Sequence, residues 1–213
     1  MLSPHKILFE QWLNVPSSIV CTRSFMCPQP ILYIHQNQKP LVTTMISPWR
    51  LFLANFLISY LPTTRFFLLK RELLRWAGVK AGKNIRICSN VRIYGNGELS
   101  IGDNTWIGHE TLIICSEKIQ IGANVDIAPR CYIGTGTHKI DIQSPNVAGA
   151  GLSIPITIGD GAWLCTHCTI LPGAIIGNKS IVAAGAVVKG KIPPLEMWGG
   201  IPAKKLKELC PPK

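Results

Sequence analysis

Residues 156–188 read ITIGDGAWLCTHCTILPGAIIGNKSIVAAGAVV. Ile158, Leu164, Ile170, Ile176, Val182 and Val188 recur within them every six residues without a miss. Ile101, Ile107 and Ile113 keep the same step upstream, as do Ile121, Ile127 and Ile133. Four residues after the aliphatic position stands a small side chain: Thr105, Thr111, Val125, Cys131, Thr137, Ala162, Cys168, Ala174, Ser180 or Ala186. A hexapeptide period is the signature of a β-solenoid, in which each hexad supplies one short strand and one corner. The aliphatic residue fills the interior, and the small residue points inward where a large one would not fit. Gly102, Gly108, Gly122, Gly134, Gly159 and Gly177 follow the aliphatic residue. There they are expected to accept corner backbone angles that a Cβ would penalise.

Three hexads make a triangular coil of eighteen residues. Two extra residues fall between Ile113 and Ile121, and a long excursion separates His138 from Ile158. Counting back through Val91, Ile85 and Val79 gives fifteen hexads, or five coils. Such a prism stands about 24 Å tall at the usual strand spacing. The fold expected is all-β, a parallel β-helix of about five coils with an N-terminal helical cap. A β-sandwich with Gly-rich turns is the alternative, and strict six-residue spacing argues against it.

Four segments follow from these patterns. Residues 1–44 carry scattered Pro, Ser and Gln and no period; they read as a disordered head or an upstream start, dispensable for folding. Residues 45–78 read as a helical cap, 79–193 as the β-helix with a loop at 139–155, and 194–213 as a tail. In the cap, Pro48 leads into the apolar run LFLANFLISYL, which Pro62 breaks. A second helical stretch follows, decorated by Arg65, Lys70, Arg71 and Arg75. These helices are expected to cover the open strand edges of the first coil. Trp49, Phe52, Phe56 and Trp76 also suit peripheral contact with a bilayer, the arginines meeting anionic head groups. The apolar run is too short to span one.

The chain of 213 residues carries a formal charge of +11, spread over several segments. No nucleic-acid-binding motif accompanies that charge, so an anionic cofactor, substrate or membrane fits it better. Eight cysteines without paired spacing argue for reduced thiols and a cytoplasmic protein. Cys165-Thr166-His167-Cys168 is formally C-x-x-C, but no second pair at metal spacing accompanies it, so no metal is expected.

The motifs IGDNTWIG (101–108), IGTGTH (133–138), ITIGDGAW (156–163), ILPGAIIG (170–177), VAAGAVV (182–188) and GGIPAKKLKEL (199–209) resemble those of the hexapeptide-repeat acyltransferases. Within that family the chain is most similar to the colanic-acid and maltose/galactoside O-acetyltransferases, over about residues 47–209. The resemblance implies a left-handed β-helix, a departure from right-handed crossovers, a homotrimer with sites between subunits, and acetyl-CoA as acyl donor. It implies His138 of TGTH as the general base, a role imidazole suits. It assigns cofactor contact to Trp163, to the backbone around Thr166 and Ala184, and to Lys204. Where the family reads SVVTKD after AG, this chain reads AVVKGK. Lys189 and Lys191 stand in place of the lost Thr-Lys pair. The acceptor, a sugar or lipid-linked glycan, is expected to meet His109, Glu110 and Glu117, which differ from the maltose/galactoside pattern. Asp141 and a main-chain carbonyl are the candidates for orienting His138. Cys131 faces the core by register, so covalent catalysis would fall to Cys165.

The expected function is O-acetylation of a sugar hydroxyl in surface-polysaccharide biosynthesis, in the cytoplasm or at the inner face of the membrane. Two other classes share the scaffold: a non-catalytic hexapeptide subunit, and a γ-carbonic-anhydrase-like zinc enzyme built on His109, His138 and His167.

Overall fold

The computed structural model describes residues 45–209. The expectations for residues 1–44 and for the last four residues lie outside that range. The chain winds as a left-handed parallel β-helix of triangular section. Its first face stacks β1 (Lys80–Ala81), β4 (Glu98–Ile101), β7 (Lys118–Ile121), β12 (Ile156–Ile158), β15 (Ile175–Ile176) and β18 (Lys191–Ile192). The second face stacks β2 (Arg86–Ile87), β5 (Trp106–Ile107), β8 (Asp126–Ile127), β13 (Trp163–Leu164), β16 (Ile181–Val182) and β19 (Glu196–Gly199). On the third lie β3 (Arg92–Tyr94), β6 (Leu112–Ile114), β9 (Tyr132–Gly134), β14 (Thr169–Ile170) and β17 (Val187–Val188). Five complete coils and two faces of a sixth result. β20 (Lys204–Glu208) folds back antiparallel onto β19, so the coil runs past residue 193 into the stretch expected to be a tail.

All twelve aliphatic residues that define the period are buried, from Ile101 to Val188. The pitch is less uniform than eighteen residues. Lys80 pairs with Ser100, and Ser100 with Gln120, a repeat of 20; Thr157 pairs with Ile175, a repeat of 18. The longer lower coils shift the count in the first turn. Ile87 and Ile93 occupy the strand position there, pairing with Ile107 and Ile113. Ile85 and Val91 take the inward corner places that Thr105 and Thr111 hold one coil on, and are buried. An end coil has no coil beneath it, so larger side chains fit its corners.

The corner glycines serve a different purpose from the one expected. Gly102 and Gly122 do not have positive φ; a Cβ on either would run into the backbone of the next coil. The left-handed corner angle falls instead on Asn84, Asn104 and Asn124, with φ of 52°, 57° and 55°. Asparagine tolerates that region better than most residues. Here its amides also link coil to coil: Asn84 Nδ2 donates to Asn104 Oδ1, and Asn104 Nδ2 to Asn124 Oδ1, both at 3.3 Å.

Two helices close the bottom of the prism: α1 (Pro48–Ser59) and α2 (Phe67–Trp76). Pro48 stands at the start of α1, where its missing N–H costs nothing. Each helix satisfies a strand edge that would otherwise be bare. Asn55 exchanges bonds with Ile93, Nδ2 donating to its carbonyl at 2.7 Å and Oδ1 accepting from its N–H at 3.4 Å. Lys70, expected to decorate the surface, is fully buried. Its Nζ donates to the carbonyls of Thr63 (2.7 Å), Pro62 (3.0 Å) and Ile87 (3.2 Å). Because α2 lies across the open end, position 70 faces the β2 edge rather than water.

Candidate functional site

The excursion after β9 is an antiparallel hairpin of β10 (Gly136–Ile140) and β11 (Ala148–Ser153), leaving the prism at the corner between its third and first faces. Thr135 anchors it. Its buried hydroxyl accepts from the N–H groups of Ser116 (2.9 Å) and Glu117 (3.2 Å), and Ile154 N–H donates to its carbonyl at 2.9 Å. Thr137, expected inside the coil, is exposed on the hairpin, and Thr135 fills the inward place. Sequence reasoning passed over Thr135, although it stands two residues after Ile133 in an otherwise regular run.

His138 lies out on β10, exposed, rather than at the coil corner. It stands opposite Gly151 in register. Directly opposed residues of an antiparallel pair share a face, so Gly151 brings no side chain against the imidazole. Asp141 is committed to the hairpin turn: its Oδ1 accepts from Gln143 N–H (3.0 Å) and Ser144 N–H (3.2 Å). Ile140, Ile142 and Val147 are exposed around the same turn, Ile142 at 83%. Glu117, also exposed, sits one coil below the root of the hairpin. Lys189 is exposed just past β17, at the same edge of the prism.

Most of the residues assigned to the cofactor gather elsewhere. Arg86, Trp106, Asp126, Trp163, Ile181 and Met197 form one ladder, in register from coil to coil. It runs along the outside of the second face, rather than along a corner. Trp106 in this ladder is a packing residue, edge-on to Phe67 at 6.2 Å with the Arg86 guanidinium over it. Trp163 is half exposed. Beside it, at the corner between second and third faces, Gly185 N–H donates to the Thr166 carbonyl at 3.0 Å, stacking the Ala184 turn on Thr166. The Thr166 hydroxyl lies 2.8 Å from the Pro129 carbonyl and 2.9 Å from His167 Nδ1. Lys204, opposite Gly199, is exposed at the top of the same face.

His109 and Glu110 occupy that second–third corner lower down. Glu110 is ion-paired to Arg130 Nε at 2.6 Å, and the His109 carbonyl accepts from Arg130 N–H. The chain therefore presents two groups: His138, Glu117 and Lys189 at one corner; Trp163, Thr166, Ala184, Lys204, His109 and Glu110 on the second face and its far corner. The third face separates them. The three histidines of the zinc alternative divide the same way, and no group of three His, Cys, Asp or Glu side chains among the described residues is placed to hold a metal ion.

Among the described residues, Cys115, Cys165 and Cys168 are poor nucleophiles. Burial pushes the Cys165 thiol up, and Cys115 to about 11. The Cys131 thiol beside it, together with burial, pushes Cys168 up as well. Cys131 itself lies in the core and donates to the Cys165 carbonyl at 3.2 Å.

The family model for the bacterial transferase hexapeptide (six repeats) matches residues 155–190. A Saccharomyces cerevisiae protein named as an acetyltransferase, YJL218W, is 38% identical over 116 residues, which span 54% of this chain and 58% of the yeast protein. The WcaF protein of Escherichia coli K12, named for acetyl transfer in colanic acid biosynthesis, is 33% identical over 64% of this chain and 72% of its own length. The galactoside O-acetyltransferase of the same strain is 30% identical, over 66% and 69%. Among solved structures, the hexapeptide-repeat acetyltransferase VCA0836 of Vibrio cholerae, in complex with acetyl coenzyme A, superposes with a TM-score of 0.60 at 25% identity. That match covers 77% of this chain and 87% of the other.

Proposed function

Since the chain belongs to the hexapeptide-repeat acetyltransferases, we propose that it moves an acetyl group from acetyl-CoA to a sugar hydroxyl during surface-polysaccharide synthesis. It works as a homotrimer, in the cytoplasm or against the inner face of the membrane. The observation that carries the chemistry is His138, exposed on a hairpin strand opposite Gly151, which has no side chain to crowd that face. Its neutral imidazole takes the proton of the acceptor hydroxyl as the oxygen attacks the thioester carbonyl. The tetrahedral intermediate then collapses, and the CoA sulfur leaves with a proton. Trp163, the Thr166 and Ala184 turns and Lys204 line the run of the cofactor; Lys189 adds charge at the hairpin corner, and Glu117, His109 and Glu110 face the acceptor.

The trimer supplies what a single prism lacks. The hairpin corner and the cofactor corner diverge across the third face. A cyclic arrangement brings one subunit's hairpin to the next subunit's cofactor face, burying Ile140, Ile142 and Val147. The test is CoA release with an active sugar acceptor. His138→Ala should lower turnover by roughly 10²–10⁴-fold while acetyl-CoA binding and trimer size persist. Near wild-type turnover in that variant would remove His138 from the base role.

A further inference from the structure

We propose that the outward face of α1 and α2 docks on an anionic phospholipid surface, setting the prism upright on the inner leaflet. α1 is apolar on both sides. Leu51, Ala54 and Ile58 are buried against the first coil. On the opposite side Trp49, Phe52, Leu53, Phe56, Leu57 and Tyr60 recur at the spacing of one helical stripe, and all are exposed, Phe52 at 68% and Tyr60 at 75%. α2 repeats the arrangement. Lys70 and Leu74 face the coil, while Leu68, Leu69 and Trp76 are exposed on the other side. Residues 45–76 thus hold eleven of the 21 large exposed hydrophobic residues among those described. A patch of that kind marks an interaction surface.

Charge and shape select the occupant. The same segment carries Arg50, Arg65, Arg71 and Arg75 against a single acid, Glu72, which Arg71 already holds at 2.6 Å. Arg50 lies 5.5 Å from the ring centres of both Trp49 and Trp76, which meet edge to face. Tryptophan, tyrosine and arginine around an aliphatic centre match the layering of a bilayer interface, apolar below and anionic at head-group level. Two copies paired through this face would oppose arginine to arginine, which argues against self-association there. Among the described residues no helix is long and apolar enough to cross a membrane, so the contact is interfacial. The helices lie across one end of the prism, their Asn55 and Lys70 facing strand edges. In the proposed trimer, on which this last step rests, cyclic symmetry sets three such faces on one side, and simultaneous contact multiplies weak affinities. The hairpin with His138 then stands two coils, on the order of 10 Å, above the first coil, within reach of a sugar carried on a membrane lipid.

The experiment sediments the full-length protein with phosphatidylcholine vesicles and with mixed phosphatidylcholine–phosphatidylglycerol vesicles. The wild type should pellet with the mixed vesicles. Phe52→Ser with Phe56→Ser, both exposed positions, should weaken that partition roughly tenfold or more. Arg50→Glu with Arg65→Glu should weaken it by a similar factor on mixed vesicles and change nothing on pure phosphatidylcholine. Both double variants should keep the wild-type circular dichroism and acetyl transfer to a soluble acceptor. A wild-type protein that stays in the supernatant overturns the proposal, as does binding that neither variant weakens. So does a particle of doubled mass that Phe52→Ser with Phe56→Ser halves, which would assign the face to a second copy. Vesicle binding is read without turnover. A chain that binds vesicles but transfers no acetyl group therefore fails only the catalytic reading.

Discussion

Replacing Lys70 by methionine tests whether the helical cap is held by a buried ammonium rather than by apolar contact alone. Methionine keeps most of the stem and removes three donors. Of the three carbonyls that Nζ meets, Pro62 retains a partner, because the Ser89 hydroxyl donates to it at 3.2 Å. The Thr63 and Ile87 carbonyls lose theirs, and the Ile87 carbonyl lies on the bottom edge of the second face. Thr63 is exposed and its carbonyl can turn to water, which leaves Ile87 as the orphaned buried acceptor, at about 1–3 kcal/mol. Burial also lowers the Lys70 pKa, so part of the lost bonding is offset when the desolvated charge goes. The expected net is about 1–2 kcal/mol, or roughly 2–8 °C in Tm for a domain of this size. The assay is thermal melting followed by circular dichroism at matched protein concentration and scan rate. Arg65→Met, on the exposed turn between the helices, is the control and should stay within about 0.5 kcal/mol. A Lys70→Met protein that melts with the wild type would refute the reasoning, showing that the Ile87 edge is satisfied in another way.

Two further outcomes concern the thiols. Cys115 stands near 11 when folded, above its ordinary value of 9.0, so it favours the folded state below the unfolded pKa and loses that contribution as pH rises from about 9 towards 11. Denaturant midpoints should fall across that window, and Cys115→Ala should flatten the slope; an unchanged slope contradicts the assignment. Acetyl transfer should be sequential, because burial holds Cys165 protonated and Cys131 and Cys168 lie in the core. A labelled acetyl-enzyme trapped without acceptor would show otherwise, and Cys165→Ala would then locate it.

The fold was legible because a solenoid repeats one packing constraint. Each hexad must place an aliphatic side chain inside the same narrow prism, so Ile101 through Val188 announce themselves by spacing alone. Legibility failed where the constraint changes. In the first coil the helices, rather than another coil, set the inward volume; Ile85 and Val91 therefore looked like strand residues when they fill corners. In the last turn Lys204–Glu208 reads KKLKE, a charged stretch with no apolar alternation, and becomes a strand only because β19 offers it a free edge. Lys70 departs from expectation for a similar reason: its charge fits the polar stripe of an isolated helix, and only the strand edge across from it makes burial tolerable.

The candidate site shows in the sequence as motifs and not as geometry. The TGTH run and the break after it locate the hairpin, but AGAGLS carries no strand pattern. The pairing of His138 with Gly151 follows from chain reversal at the Asp141 turn rather than from propensity. A linear motif also hides direction. Trp163 is 25 residues beyond His138, close enough in sequence to suggest one pocket, yet strand register sends it to the second face while the hairpin leaves from the opposite corner. That divergence bears on mechanism. His138 and the Trp163–Thr166 group, on diverging parts of the prism, cannot meet by side-chain rotation, since the third face between them is packed and hydrogen-bonded coil to coil. In the proposed trimer the neighbour's surface closes that distance, and the apolar tip of the hairpin, with Ile140 and Val147 in the open, is the contact the proposal assigns to it.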